Sequence, residues 1–203
     1  MISRQKAEYM ALQSQINPHF LYNTLNGFIG LNRKGEQKKL EKSIISLTKL
    51  FRYTCTNNDL VPLSLEINFV KDYLKLQKIK YEERLNIVYN IEDKTKNIII
   101  PKLILQPLVE NAIVHGLEPI SDQVTITIKT AISETKNGNS LFISIKDNGV
   151  GCSSDELLTS NSVALNNIED RIKLFKVESI INYKCKINEG VEIMLIIPIS
   201  EEL

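Results

Sequence analysis

The sequence predicts an α+β fold in which a helical hairpin precedes an α/β sandwich. Two observations lead to this prediction. Apolar residues recur at helical spacing up to about Glu83, with a break at Gly35. After Arg84 the pattern changes to short runs of alternating apolar and polar residues, which is typical of strands. We therefore expect two domains, 1–84 and 85–203.

The first domain is expected to dimerise through its helices. Helical spacing covers 2–32, 40–54 and 64–83. Ser64 is the expected N-cap of the third helix. Two antiparallel helices cannot enclose a core alone, so the hairpin should pair with a second copy into a four-helix bundle. Residues 3–15 already have a mid-helix composition, and we expect a natural protein to continue upstream of Met1.

The second domain alternates strand and helix patterns. Five strands are expected, at 85–91, 124–132, 141–146, 179–187 and 191–199. Two helices are expected between them, at 102–115 and 163–176. This order predicts a sandwich whose sheet is mostly antiparallel.

The amino-acid composition bears on which partners the protein can have and on the compartment in which it is expected. Lys and Arg total 25 against 24 for Asp and Glu, and a net charge of +1 creates no field that would attract nucleic acid. The cysteines Cys55, Cys152 and Cys185 are far apart and contain no CxxC pair, so we expect neither a zinc site nor a disulfide framework. There is no apolar run of membrane-spanning length, and a reducing cytoplasm is the expected location.

The segment around His19 is the first candidate site. Pro18 should kink or end the helix, because proline removes a backbone hydrogen bond. Asn23 follows His19 by four residues and so shares its helical face. An exposed imidazole has an unprotonated nitrogen at neutral pH and can accept a phosphoryl group. A histidine that satisfies the kinked helix explains this segment equally well.

Two further segments suggest a nucleotide pocket. Asn111 and His115 lie one turn apart on an apolar helix, and an amide oxygen is a suitable Mg²⁺ ligand. Asp147 ends a strand and is followed by Gly149 and Gly151, which would let the backbone approach a ligand while the carboxylate accepts a hydrogen bond from an exocyclic amine such as that of adenine. An ordinary core helix and an ordinary strand-ending turn are the alternatives.

The order and spacing of these segments resemble the LytS-like sensor histidine kinases, whose phosphoacceptor box reads Asn-Pro-His-Phe-Leu-Tyr/Phe-Asn. The similarity covers nearly the whole chain. The matching segments are 15–26 for that box, 106–117 for the Asn box, 147–151 for the first glycine box and 165–172 for the end of the second. The resemblance implies a dimeric helical hairpin joined to a Bergerat-type ATP-binding domain, and an upstream membrane sensor segment.

The same resemblance implies the reaction and the role of each residue. His19 would be phosphorylated from ATP with Mg²⁺ and would pass the phosphoryl group to an aspartate of a response regulator receiver domain. Asn23 would position water for phosphatase action. The residues near the nucleotide would be Asn111 as the Mg²⁺ ligand, His115, Asp147 at adenine with Gly149 and Gly151, and Asn167 and Arg171 near the phosphates.

The chain departs from the family pattern at the second glycine box, where Gly-x-Gly is replaced by Ser162-Val163-Ala164. The Cβ atoms of Ser162 and Ala164 would restrict close approach of the phosphates. The alternative function is therefore a degenerate kinase that serves as a dimeric regulator-binding module with weak or absent ATP turnover.

Two other positions bear on the chemistry. Phe20 takes the place of the acidic neighbour that other histidine kinases have after the phosphoacceptor, which leaves Glu110 as a candidate base only if domain closure brings it near. A chaperone-type or mismatch-repair-type ATPase is disfavoured, because Pro107 occupies the position of the glutamate base of those relatives.

Overall fold

A helical part and a mixed β-sheet make up the chain in a computed structural model that describes residues 18–135, 138–152 and 162–199. The helices are α1 (Pro18–Arg33), α2 (Gln37–Thr54), α3 (Leu63–Tyr81), α4 (Leu105–Asn111) and α5 (Ser162–Phe175). The strands are β1 (Leu60–Pro62), β2 (Leu85–Ile91), β3 (Ile99–Pro101), β4 (Val124–Thr135), β5 (Gly138–Asp147), β6 (Ile180–Lys186) and β7 (Gly190–Pro198). A π-helical segment, Ala112–Leu117, directly continues α4. The predicted α+β fold class is confirmed.

A tight turn joins α1 to α2 and makes the helical hairpin. Gly35 has a φ of 71°, and the amides of Gly35 and Glu36 donate to the carbonyls of Asn32 and Leu31. These two bonds form a Schellman turn, in which glycine takes the left-handed conformation at no steric cost. Gly35 therefore ends the first helix, as expected. The predicted part of that helix before Pro18 lies outside the described residues.

The chain divides into two compact units, one containing 1–57 and 71–82 and the other containing 58–70 and 83–203. Helix α3 contributes its first residues to the second unit and the remainder to the first. Within the described ranges, no helix has the length and apolar character needed to cross a membrane.

Aromatic packing holds α1 in the first unit. Phe20 stacks on Tyr73 of α3 with ring centroids 4.9 Å apart, and both side chains are buried. Gly27 also faces α3, because a Cβ at this position would lie 2.8 Å from Cγ2 of Ile79. Ser46 of α2 donates a hydrogen bond of 3.2 Å to the Asp72 carboxylate. Aromatic and polar contacts thus join three helices within this unit.

The second unit is built on a five-stranded sheet in the order β2-β4-β5-β7-β6. Strands β2 and β4 are parallel, and the other pairs are antiparallel. Each of the five predicted strands overlaps one of these, and the mostly antiparallel sheet is confirmed. The π-helical segment contacts β4, β5 and β7, and α5 contacts β6.

A small sheet and a strained turn precede α4. Strands β1 and β3 pair antiparallel, with Leu60 opposite Pro101, and the sequence did not predict this pairing. The predicted helix at 102–115 starts later, at Leu105, because Leu103 has a φ of 59° that is incompatible with a right-handed helix. The prediction of Ser64 as an N-cap was wrong. The Ser64 amide lies inside α3 and donates to the carbonyl of Lys96.

The expectation of no disulfide was also wrong. Cys152 and Cys185 form a disulfide, with their Cα atoms 5.7 Å apart. Their separation of 33 residues concealed this proximity, since Cys152 follows the glycine turn after β5 and Cys185 lies on β6. Cys55 is exposed and free.

Replacing Phe20 by alanine is expected to destabilise the first unit. The substitution removes the buried ring that stacks on Tyr73 and leaves a cavity, which costs about 3 to 5 kcal/mol for a phenylalanine. Urea unfolding followed by far-ultraviolet circular dichroism measures the change. Lys38→Ala, at an exposed position of α2, is the control and should change stability by less than about 0.5 kcal/mol. Equal stability of the two variants would contradict the assigned packing.

Candidate functional site

Asp147 occupies a core position at the end of β5. The inward residues of this strand alternate with outward ones, and the inward series is Leu141, Ile143, Ile145 and Asp147. Because side chains of a strand point alternately to opposite faces, Asp147 lies on the same face as three buried apolar residues. Asp147 as a whole is 3% exposed. The strand therefore carries a carboxylate into the face that packs against the helices.

Backbone amides hold this carboxylate in place. Oδ1 accepts hydrogen bonds from the amides of Gly149, at 2.9 Å, and Val191, at 3.4 Å. Burial raises the pKa of the Asp147 carboxyl above its ordinary value, and the two amides and nearby His115 offset part of that rise. A buried and hydrogen-bonded carboxylate with a perturbed pKa is a common feature of ligand sites.

Three glycines allow close backbone approach at Asp147 and in the turn that follows it. A Cβ at Gly116 would lie 2.8 Å from Oδ1 of Asp147, and a Cβ at Gly149 would collide with the carbonyl of Gly116. Gly151 has a φ of 64°, and a Cβ there would collide with the carbonyl of Lys186. The turn after β5 therefore requires glycine on steric grounds at Gly149 and Gly151.

The helix above the sheet changes its winding where it passes the site. Asn111 is the last residue of α4, and His115 lies in the π-helical segment that follows. Such π segments are uncommon and are often found at functional sites. Nδ2 of Asn111 is buried and has no hydrogen-bond partner among the described residues. A buried donor of this kind is costly unless a ligand or water accepts from it.

Asn111, His115 and Asp147 line one cavity between this helix and the sheet. Its apolar walls come from the helix and from β5 and β7, namely Leu108, Ala112, Ile145, Val191 and Ile193. The cavity is small, about 20 Å³. Its lining, apolar with a few convergent polar groups, is of the kind found in ligand sites. The structure thus brings together three of the residues that the sequence singled out.

The remaining nucleotide candidates lie on α5. Asn167 is exposed. Nη2 of Arg171 donates a hydrogen bond of 2.6 Å to the carbonyl of Lys102, in the turn before α4. The described part of the structure does not include 153–161 or the side chains of Ser162 and Ala164. The expected obstruction of the phosphates by the Cβ atoms of Ser162 and Ala164 therefore stays a prediction.

His19 and Asn23 belong to the helical unit and lie one turn apart on α1. The His19 side chain is exposed. Nδ2 of Asn23 is 3.3 Å from Nε2 and 3.4 Å from Nδ1 of His19, so the amide lies against the edge of the ring. Pro18 is the first described residue, so the predicted kink lies outside the described part of the helix.

Sequence reasoning missed three residues that shape the cavity or the helix above it. Gly116 passes over Asp147, and the amide of Val191 binds the carboxylate from a distant strand. Arg84 donates to the carbonyls of Leu117 and Ile120 and so holds the end of the π-helical segment. Gly116 within an apolar helical pattern was a usable signal, because glycine is unfavourable inside a helix and can have a packing reason there.

The raised pKa of Asp147 predicts the sign of a pH effect on stability. The folded state keeps the proton at pH values where the unfolded state has lost it, so the contribution of Asp147 to stability falls as pH rises from the ordinary aspartate pKa through the raised one. Asp147→Asn should therefore gain stability relative to wild type across that window in urea unfolding at a series of pH values.

Asp93→Asn is the control of opposite sign. Lys96 lowers the pKa of the exposed Asp93 carboxyl, so this variant should lose stability relative to wild type as pH rises through the acidic range. If the Asp147→Asn and wild-type curves ran parallel, Asp147 would not have the raised pKa described here.

Comparison with known proteins identifies the family. Residues 7–85 match the family described as Histidine kinase. The chain is 36% identical to the sensor histidine kinase YesM of Bacillus subtilis over 98% of its length, and 34% identical to the sensor protein LytS of Bacillus anthracis over 96%. It is 32% identical to the sensor histidine kinase YpdA of Escherichia coli over 95%. In each case the chain spans 34% of the relative, or about a third.

Solved structures share the fold at low sequence identity. The histidine kinase domain of the blue-light activated histidine kinase of Erythrobacter litoralis superposes with a TM-score of 0.52 at 13% identity, covering 96% of this chain and 93% of that one. The catalytic domain of the histidine kinase ThkA gives a TM-score of 0.53 at 16% identity, covering 68% and 93%. With the sequence matches, this places the chain in the LytS-like sensor histidine kinase family.

Proposed function

We propose that this chain is the core of a sensor histidine kinase of a two-component system. His19 is phosphorylated from ATP, and the phosphoryl group then passes to an aspartate of a response regulator receiver domain. The observation that carries this proposal is the cavity in which the buried Asp147 carboxylate and the unpartnered donor of Asn111 face the same space. Family membership and the exposed His19 in its Asn-Pro-His-Phe-Leu-Tyr-Asn segment support it.

The residue types that line the cavity suit adenine, and the cavity must open to admit the ring. Asp147 can accept a hydrogen bond from the exocyclic amine of adenine, and the apolar residues Ile145 and Ile193 can pack against the ring. Gly149 and Gly151 keep side chains out of the turn beside it. Nδ2 of Asn111 supplies a buried donor for an acceptor on the ligand. His115, Asn167 and Arg171 are proposed as further nucleotide contacts.

Asn111 would also hold Mg²⁺, because its amide oxygen is a hard neutral ligand that can complete a coordination shell made largely of water and phosphate oxygens. When bound, this ion neutralises charge on the phosphates of the substrate. The unpartnered Nδ2 of Asn111 is a donor, so it suits a phosphate oxygen beside such an ion and not the ion itself.

His19 is the proposed nucleophile. A lone pair of an unprotonated ring nitrogen forms a bond to the γ-phosphorus of ATP, the bond to the bridging oxygen breaks, and ADP leaves. The amide of Asn23, 3.3 Å from Nε2, orients the ring before transfer. Asn23 is also proposed to position water when the phosphorylated receiver domain is hydrolysed.

A homodimer is proposed because the hairpin leaves apolar side chains exposed. Leu25 and Ile29 of α1 are 47% and 50% exposed, and Ile44 and Ile45 of α2 are 47% and 48% exposed. Residues four apart on a helix form one face, so Leu25 and Ile29 can pack against a second hairpin in a four-helix bundle.

Since the relatives are about three times longer, we also propose an upstream membrane sensor segment and a cytoplasmic location, where ATP is available.

A binding module without catalysis is the second candidate. It is favoured by one observation, the replacement of the Gly-x-Gly sequence by Ser162-Val163-Ala164. In this case the dimer would bind a receiver domain while binding ATP weakly or not at all. Nucleotide titration and single-turnover labelling of the same preparation separate the two functions.

Labelling of the chain by ATP is expected to require the imidazole of His19. Incubation with γ-labelled ATP and Mg²⁺ should give acid-labile, base-stable label on wild type and none on His19→Ala, while ATP affinity is retained because the cavity belongs to the other unit. Tyr22→Phe is the control, since it removes a nearby exposed hydroxyl and should keep the label. Label that persists on His19→Ala would refute the assignment of the nucleophile. Wild type that binds a receiver domain without being labelled would favour the binding module.

Charging the exposed face of α1 should produce monomers. Leu25→Glu combined with Ile29→Glu would bury charge in the proposed bundle, which is unfavourable without partners, and light scattering after size exclusion should show half the wild-type mass. Leu174→Glu removes an apolar side chain that is 87% exposed in the other unit and should leave the mass unchanged. A double variant that stays dimeric would exclude this face as the interface.

A further inference from the structure

Glu66 is a charged side chain buried within the second unit. It lies in the first turn of α3 and is 0% exposed. Its carboxylate accepts three backbone hydrogen bonds. Oε1 binds the amide of Leu103 at 2.6 Å, and Oε2 binds the amides of Ile104 at 3.0 Å and Leu105 at 3.2 Å. These three amides are consecutive and lead directly into α4.

The start of α4 depends on this carboxylate. The N-cap residue Ile104 makes no side-chain capping bond, although the first amides of any helix lack partners within the helix. A negative charge is favourable at a helix N-terminus, where the amide dipoles are aligned. Hydrogen bonds to an ionised acceptor are also stronger than neutral ones. Glu66 therefore supplies from another helix the cap that the sequence at Ile104 does not provide.

The turn that Glu66 binds is strained, and further hydrogen bonds stabilise it. Leu103 has a φ of 59°, a left-handed conformation that is unfavourable for a residue with a side chain. The amide of the preceding Lys102 donates to the carbonyl of Asp59, and the Lys102 carbonyl accepts from Arg171. Strained backbone persists where its surroundings hold it, and it concentrates at functional sites.

The position of Asn111 depends on the position of this turn, because helix α4 connects the two. The helix has seven residues, from Leu105 to Asn111, so Asn111 lies about 9 Å along the axis from the end that Glu66 caps. Even with its π-helical continuation to Leu117, the helix is short enough to be held mainly by tertiary contacts. A shift or rotation at Leu105 therefore carries through to the amide of Asn111.

We propose that Glu66 is a positioning residue for the nucleotide site, because its capping of α4 sets where Asn111 presents its amide to the Mg²⁺-bound phosphates of ATP. This inference rests on the proposed function. It assigns to Glu66 a role in the Mg²⁺-dependent part of nucleotide binding. Asp147, the proposed adenine contact, is carried by strand β5 and not by α4, so binding without Mg²⁺ should depend less on this cap.

The experiment measures how much Mg²⁺ strengthens nucleotide binding. Calorimetry gives the dissociation constant of a non-hydrolysable ATP analogue with Mg²⁺ and again with a chelator, using the full chain. Glu66→Gln removes the charge and places an amide NH₂ against backbone donors. It should weaken binding with Mg²⁺ by about tenfold, the lower end of what loss of a supporting partner costs a metal site. Binding in the chelator should weaken clearly less, because Leu108 of α4 lines the cavity but Asp147 lies on β5.

Two further variants keep the result interpretable. Glu66→Asp retains the charge on a shorter side chain and should recover part of the Mg²⁺ effect, and it serves as the test if Glu66→Gln does not fold. Glu83→Gln removes an equal charge from an exposed position of the same unit and should behave as wild type. Circular dichroism confirms that each variant is folded.

Three outcomes of this experiment would contradict the positioning role of Glu66. A folded Glu66 variant with the wild-type Mg²⁺ effect overturns the positioning role and leaves the proposed function standing. An equal loss of binding with and without Mg²⁺ also overturns it, because general loosening of the unit would act on both. If wild type binds no nucleotide, the proposed function fails and the inference fails with it.

Discussion

The buried carboxylate of Asp147 is the constraint around which the site is arranged. Strand periodicity places it in an apolar layer, where an ionised group is costly without hydrogen bonds. The amides of Gly149 and Val191 supply those bonds, so the turn after β5 and the start of β7 must converge on one oxygen. The helix above can approach only because Gly116 has no side chain. Sheet register, turn conformation and helix packing are thus coupled through one side chain.

Much of this architecture follows from local patterns in the sequence. Periods of 3.6 and 2 residues predicted the hairpin and five strands, because the residues of those elements bury one face. The same patterns brought Asn111, His115 and Asp147 to attention as polar residues in apolar surroundings, and the structure gathers all three at one cavity. Their roles in binding remain predictions.

Local patterns could not predict features made by residues distant in sequence. Glu66 reads as an ordinary glutamate near a helix start, yet it caps a helix that begins 39 residues later. The pairing of Cys152 with Cys185 depends on the tight passage of Gly151 beside β6, which no spacing rule indicates. The later start of α4 results from the left-handed conformation of Leu103, which is unfavourable for leucine and was therefore not expected.

The central claim is that the cavity binds an adenine nucleotide through Asp147, and isothermal titration with ADP tests it most directly. Wild type should bind ADP with measurable heat, and Asp147→Asn should bind far more weakly while remaining folded, because an asparagine cannot present a charged acceptor to the adenine amine. Equal binding by the two proteins would contradict the role of Asp147. Absence of binding to both would contradict the nucleotide site itself.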